Sequence, residues 1–126
     1  MRVIVCGGRA YSDRARVFSA LDRLHAEKGI DCVIHGACLT GADRWADEWA
    51  KERGVAVAPF EADWVRLGRW AGPARNQQMI DEGKPDGVVA FPGGRGTADM
   101  VRRTEEPPPI GAGLKVWFPC AGERPI

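Results

Sequence analysis

Five short apolar runs punctuate the chain, at residues 2–6, 31–35, 55–60, 86–91 and 114–118, and a stretch with helical spacing separates each from the next. Apolar runs without polar alternation read as strands buried on both faces, and intervening helices are the crossovers that parallel strands require. This alternation leaves little freedom. It predicts an α/β fold of three layers, α/β/α, around a mainly parallel five-stranded sheet with right-handed crossovers. A length of 126 residues fits one domain, expected over 1–118, with a C-terminal tail at 119–126.

Local signals place the helices. Ser12 or Asp13 caps a first helix whose apolar face is Val17, Ala20, Leu21 and Leu24, and Gly29 closes it. Thr40 and Asp43 have capping-box spacing before a second helix that stripes Ala42, Trp45, Ala46, Trp49 and Ala50, ended by Gly54. Residues 61–72 interrupt this rhythm as a loop or short helical turn. Pro73 suits the first turn of a helix running to about Glu82, with Gly83 beyond its end. A further helix is expected near Thr97–Arg103, broken early by "EEPPPIGAG".

Composition narrows the function. Formal net charge is +1 and no block of like charges occurs, which argues against duplex-DNA or membrane-surface binding through bulk charge. No stretch approaches the ~20 apolar residues of a membrane span, and the N-terminal apolar run is too short for a signal peptide. A cytoplasmic location is expected. The four cysteines form no CxxC pair, and in a strand Cys32 and His35 fall on opposite faces. Neither a metal nor a cofactor is expected.

With strand order 3-2-1-4-5, strands one and four lie side by side where the winding reverses, the place where such sheets bind ligands. Their carboxyl ends carry Gly7-Gly8-Arg9 and Pro92-Gly93-Gly94, so two glycine loops should meet. A glycine loop leading into a helix gathers free N–H groups at the positive end of the helix dipole and suits an anion. Gly41 offers a third such loop. Glycines also make tight strand-to-helix turns, and that reading stands beside the first. Thr97 either adds a hydroxyl hydrogen bond or caps its helix. GxxxxGK[ST] and GxGxxG are both absent, against P-loop NTPase or ordinary dinucleotide-dehydrogenase chemistry. Arg75 and Asn76, in the first turn after Pro73, are placed to reach a bound anion. Asp63-Trp64 offers a carboxylate for a ribose hydroxyl and an indole for a base or ribose face. Asp43 is either a capping acid or a ligand carboxylate. His35 is either a structural histidine or an acid–base group.

The segments "VIVCGGRAYSDR", "VIHGACLTGADRWADEWA", "FEADWVRLGRWAGPARNQQM" and "VVAFPGGRGTADMV" resemble, in order, the YspA-type (cpYpsA-related) branch of the SLOG superfamily over about residues 1–104. The resemblance implies a Rossmann-like fold and a small nucleotide or nucleotide-sugar ligand, ADP-ribose-like in kind. It places the ligand on Gly7, Gly8 and Arg9; on Gly36, Gly41, Ala42 and Asp43; on Asp63, Trp64, Arg75 and Asn76; and on Pro92, Gly93, Gly94, Gly96 and Thr97. More distantly, the chain is similar to LOG-type phosphoribohydrolases, which cleave the N-glycosidic bond of nucleoside 5′-monophosphates. Arg75 and Met79 match their RKxxM motif, with Asn76 in place of the lysine. Gly93, Gly94, Gly96 and Thr97 match PGGxGTxxE, whose catalytic glutamate falls on Met100. Those relatives are dimers, which leaves a homodimer open. A binding domain is therefore the first expectation. The alternative is an N-glycosidase or phosphoribohydrolase, with Arg75, Asp63 and Asp99 as candidate catalytic groups. A nucleic-acid-handling module, like the DNA-processing relatives, is disfavoured by the near-neutral charge.

Overall fold

In the first strand, β1 (Arg2–Cys6), Val3 and Val5 face one side of the sheet and Ile4 and Cys6 the other, and all four are buried. Strand geometry sends alternate side chains to opposite faces, so an unbroken apolar run needs a hydrophobic layer on each side. The computed structural model, which describes residues 1–120, supplies both layers. Helices α1 (Arg14–Lys28) and α2 (Gly41–Arg53) bring Val17, Leu21 and Trp49 against Val3, Val5 and Val33. On the other face, α4 (Ala71–Gly83) and α5 (Arg95–Glu105) bring Met79, Met100 and Val101 against Ile4, Ile34 and Val88. Each fully buried large side chain contributes roughly 1.5–3 kcal/mol of hydrophobic stabilisation.

The sheet has the expected order, β3-β2-β1-β4-β5, with every pairing parallel. Its remaining strands are β2 (Cys32–His35), β3 (Ala56–Pro59), β4 (Gly87–Ala90) and β5 (Lys115–Trp117). Cys32 packs in the layer with Ile34 while His35 shares the face of Val33, which separates the cysteine from the histidine as strand geometry requires. Cys6 of β1 pairs with Ala90 of β4, and the ladder runs on past both strands: Phe91 N–H donates to Cys6 C=O at 2.9 Å, and Gly8 N–H to Pro92 C=O at 2.9 Å. The two glycine loops are thus continuous with the centre of the sheet.

Several boundaries differ from the sequence expectation for identifiable reasons. Strand β2 begins at Cys32 rather than Asp31, whose carboxylate takes the N-terminal ammonium at 2.7 Å while its N–H donates to Met1 C=O at 2.8 Å. Helix α4 begins at Ala71, with Pro73 in its first turn as expected, but includes Gly83; a Cβ on Gly83 would lie 3.1 Å from Ile34, so this glycine serves helix–sheet approach. Lys84 takes the left-handed conformation, at φ +49°, that a glycine was expected to supply. Helix α5 begins two residues early, at Arg95, which brings Gly96 and Thr97 into its first turn. The irregular stretch resolves into a one-turn helix, α3 (Trp64–Leu67), and a 3-10 turn (Gly68–Trp70). Residues 121–126 of the expected tail lie outside the described residues. Among those described, no helix is long and apolar enough to cross a membrane.

Candidate functional site

A cleft of about 1020 Å³ opens at the carboxyl ends of β1, β2 and β4. Gly7, Gly8 and Arg9 form its floor beside β1; Gly94, Arg95, Gly96 and Thr97 line it from the first turn of α5; Arg75 and Asn76 enter from α4. Three of these groups come from loops far apart in sequence, and the sheet topology alone brings them together.

The glycines do different jobs. A Cβ on Gly93 would collide with the Thr97 hydroxyl and lie 2.7 Å from Gly8 N, and one on Gly7 would lie 2.7 Å from Ala42 Cβ. Gly41, at φ +71°, holds the left-handed conformation with its α-carbon against the Gly8 carbonyl, which also accepts from Ala42 N–H at 3.3 Å. Gly93, Gly41 and Gly7 are therefore small because three loops of the chain pack on one another. Pro92, Gly93, Gly41 and Ala42 lie behind the lining of the cleft rather than on it. Gly94 and Gly96 are different. Both line the cleft, and a Cβ on either would meet nothing within 4 Å. Among the described residues, no packing demands their smallness.

Helix N-termini show a related division. Asp13 caps α1, away from the cleft, by accepting from Arg16 N–H at 3.0 Å, and Asp63, itself outside the lining, caps α3 by accepting from Arg66 N–H at 3.1 Å. At the cleft, α5 starts without any side-chain cap, so its first N–H groups stay available at the positive dipole end, whereas α2, also uncapped, gives its Ala42 N–H to Gly8 C=O. The expected capping box is accordingly not formed. Thr40 occupies the cap position but makes no cap bond, and Asp43 turns into the cleft, where it accepts from Cys38 N–H at 3.2 Å.

Arg75 is held by two bonds. Its Nη1 donates to Gly36 C=O at 2.6 Å and its Nε to Asn76 Oδ1 at 3.2 Å. A Cβ on Gly36 would strike the guanidinium, so this glycine makes room for the arginine. Burial pushes the Arg75 pKa down and Asp43 opposes that shift; a guanidinium remains a cation. Burial also pushes the Asp43 carboxyl up, against the pull of Cys38 N–H, His35 and Arg75.

Asn76 lines the cleft although it is only 4% exposed, and it also ties α4 to α5: Nδ2 donates to Gly96 C=O at 3.1 Å and to Asp99 Oδ2 at 3.0 Å. Asp99 also accepts from Arg103 Nε at 2.8 Å and Arg102 Nη2 at 3.0 Å. Burial raises its carboxyl, but the bonds from Arg103, Asn76 and Arg102 outweigh it and hold the pKa below the ordinary carboxylate range. Such a group is a poor proton donor at neutral pH. His35 is buried with both nitrogens engaged, Nδ1 accepting from Ala37 N–H at 2.9 Å and Nε2 2.9 Å from Asp47 Oδ1, an arrangement that shapes the loop.

Asp63 does not line the cleft, whereas its neighbour Trp64 does, with the Arg9 guanidinium 5.4 Å from the ring centroid. Met100, aligned with the glutamate of hydrolytic relatives, is fully buried in the core beneath α5. Sequence reasoning missed Arg69, Trp70, Arg95 and Glu61, all of which line the cleft. The signal was the pairing of arginine with tryptophan in the stretch that broke the strand–helix rhythm, "WVRLGRW". Among the described residues, no group of three or more His, Cys, Asp or Glu is placed to hold a metal ion.

Comparison with known proteins adds two findings. The model of a family described as "YspA, cpYpsA-related SLOG family" matches residues 1–67. The chain is 39% identical over 113 residues to the Gene 61 protein of Mycobacterium phage D29, covering 83% of this chain and 89% of that protein. No solved structure gives a significant match.

Proposed function

The chain belongs to the YspA, cpYpsA-related SLOG family, and on that premise we propose that its cleft binds a small nucleotide or nucleotide-sugar through a phosphate at the start of α5. Family membership is consistent with a nucleotide-related role. The observation that carries the finer reading is the opening of Gly94 and Gly96 onto the cleft at an uncapped helix N-terminus, with Arg75 lining the same cleft. The free N–H groups at the positive end of a helix and a fixed guanidinium are two separate attractions for one anion. Trp64 offers a flat apolar face for a base or ribose.

Binding without cleavage is the form of this reading that the residues favour. N-glycosidic hydrolysis needs a carboxylate free to orient water or to stabilise an oxocarbenium-like transition state. At and beside the position of the hydrolytic relatives' glutamate no such group is free: Asp99 is engaged by three donors, and Met100 brings neither charge nor access. Equilibrium dialysis with radiolabelled AMP and ADP-ribose, followed by chromatography of the retained label, tests this. Saturable retention of intact nucleotide is expected. Free base released at ordinary enzymatic rates would overturn the binding reading in favour of a glycosidase.

A further inference from the structure

Segment 61–70 is built unlike the rest of the chain. Neither α3 nor the 3-10 turn after it buries a single side chain. Trp64 is 48% exposed and Trp70 64%. The tryptophans of α2 behave otherwise: Trp49 is fully buried with its indole on Asp22 at 2.9 Å, and Trp45 donates to Tyr11 C=O at 2.9 Å. Burying a large aromatic is among the most favourable contributions a residue makes to a core. A segment that carries two tryptophans and gives neither to the core has another use for them.

Both rings line the same cleft, and each is accompanied by an arginine. Arg9 lies 5.4 Å from the centroid of Trp64, and Arg69 lies 5.2 Å from that of Trp70. Arg75 and Arg95 add two more cations to the lining, against Asp43, Glu61 and Asp99, of which Asp99 is already matched by Arg102 and Arg103. The surplus is positive. At about 1020 Å³ the cleft stands at the top of the range of roughly 300–1,000 Å³ usual for small-molecule sites. One base, one ribose and one phosphate leave much of that lining, including a tryptophan, untouched.

We propose that the ligand carries two flat aromatic groups joined through phosphates, as a dinucleotide does, with Trp64 and Trp70 as its two stacking platforms. The proposal rests on the nucleotide-binding reading above and extends it to ligand class. Trp64, beside the β1 loop, takes the base of the nucleotide half whose phosphate meets α5. Trp70 takes the second ring, and the arginines of the cleft lining take the phosphate bridge. Stacking of a base on an aromatic side chain tolerates many bases, so two platforms select for two rings rather than for particular ones.

Calorimetric titration of the whole chain with AMP, ADP-ribose and NAD⁺ separates the possibilities, because ADP-ribose keeps the phosphate bridge of NAD⁺ and lacks its second ring. NAD⁺ is expected to bind about tenfold more tightly than ADP-ribose, the lower part of the range for one stacked base. In Trp70→Ala the ratio of the two affinities should fall to near one. Thermal melting of the variant checks its fold, and Trp70→Phe, which keeps a stacking face, should restore most of the ratio. Equal affinity for NAD⁺ and ADP-ribose in the wild-type chain overturns the second platform and leaves the nucleotide cleft standing. A ratio that survives Trp70→Ala overturns it as well. Absence of binding for AMP, ADP-ribose and NAD⁺ alike overturns both readings.

Discussion

Arg75 shows how a single side chain is prepared for an anion. Its Nη1 and Nε are fixed by Gly36 C=O and Asn76 Oδ1, so little side-chain freedom remains to be lost on binding. Arg75→Ala should weaken AMP binding by about 1.5–3 kcal/mol, the scale of charge-assisted hydrogen bonds. Arg75→Lys should recover only part, since an ammonium cannot reproduce the fork. Calorimetry on both variants checks this, and unchanged affinity in the alanine variant would remove the role. Asp99 makes a prediction about pH. Its folded-state pKa is depressed, so its stabilising contribution is present above the ordinary aspartate value of about 4 and is lost as pH falls through the lower folded value. Asp99→Asn should therefore melt earlier than wild type at pH 7, with the gap closing as the buffer is taken below about pH 4. A gap independent of pH would contradict the ionised, triply bonded carboxylate.

At the scale of elements, the start of α5 separates packing from binding. Gly93→Ala must push against Thr97 and Gly8, and Gly41→Ala adds left-handed strain of roughly 1–2 kcal/mol to a collision with Gly8, so both should lower the melting temperature. Gly94→Ala, at φ −99° with open space around it, should fold normally. Met100→Glu would set a carboxylate inside the core under α5; a loss of about 3 kcal/mol or more in chemical denaturation is expected, and no release of base from AMP. These elements also show what was legible. Strand runs such as "RVIVC" and "GVVA" announce themselves because they are short, rich in valine and isoleucine, and followed by a glycine loop. Thr40 and Asp43 misled because a capping box is a local pattern, whereas Asp43 obeys the fold: the loop after β2 presents Cys38 N–H to it. Asn76 has a second task that no local pattern shows. Its partners, Gly96 and Asp99, are neighbours only once α4 and α5 share one face of the sheet.

Across the whole molecule, the candidate site is a consequence of topology. Reversal of winding between β1 and β4 places the Gly7-Gly8 loop, the uncapped start of α5 and Arg75 around one cleft, although they stand far apart along the chain. Strand order was readable because parallel crossovers and a glycine loop after each central strand allow few alternatives. Of the wall formed by Trp64, Arg69 and Trp70, only Trp64 was readable. A one-turn helix and a 3-10 turn without buried residues carry no periodic signal. The central claim is that a phosphate rests on the backbone of Gly94 and Gly96, and one paired measurement tests it most directly: calorimetric affinity for AMP and melting temperature, in the wild-type chain and in Gly94→Ala. The expected result is saturable binding to the wild type, together with at least a tenfold loss of affinity in a variant whose melting temperature stays within about 2 °C, a shift corresponding to roughly 0.5 kcal/mol or less for a domain of this size. A well-folded Gly94→Ala chain that binds AMP as tightly as the wild type would contradict it.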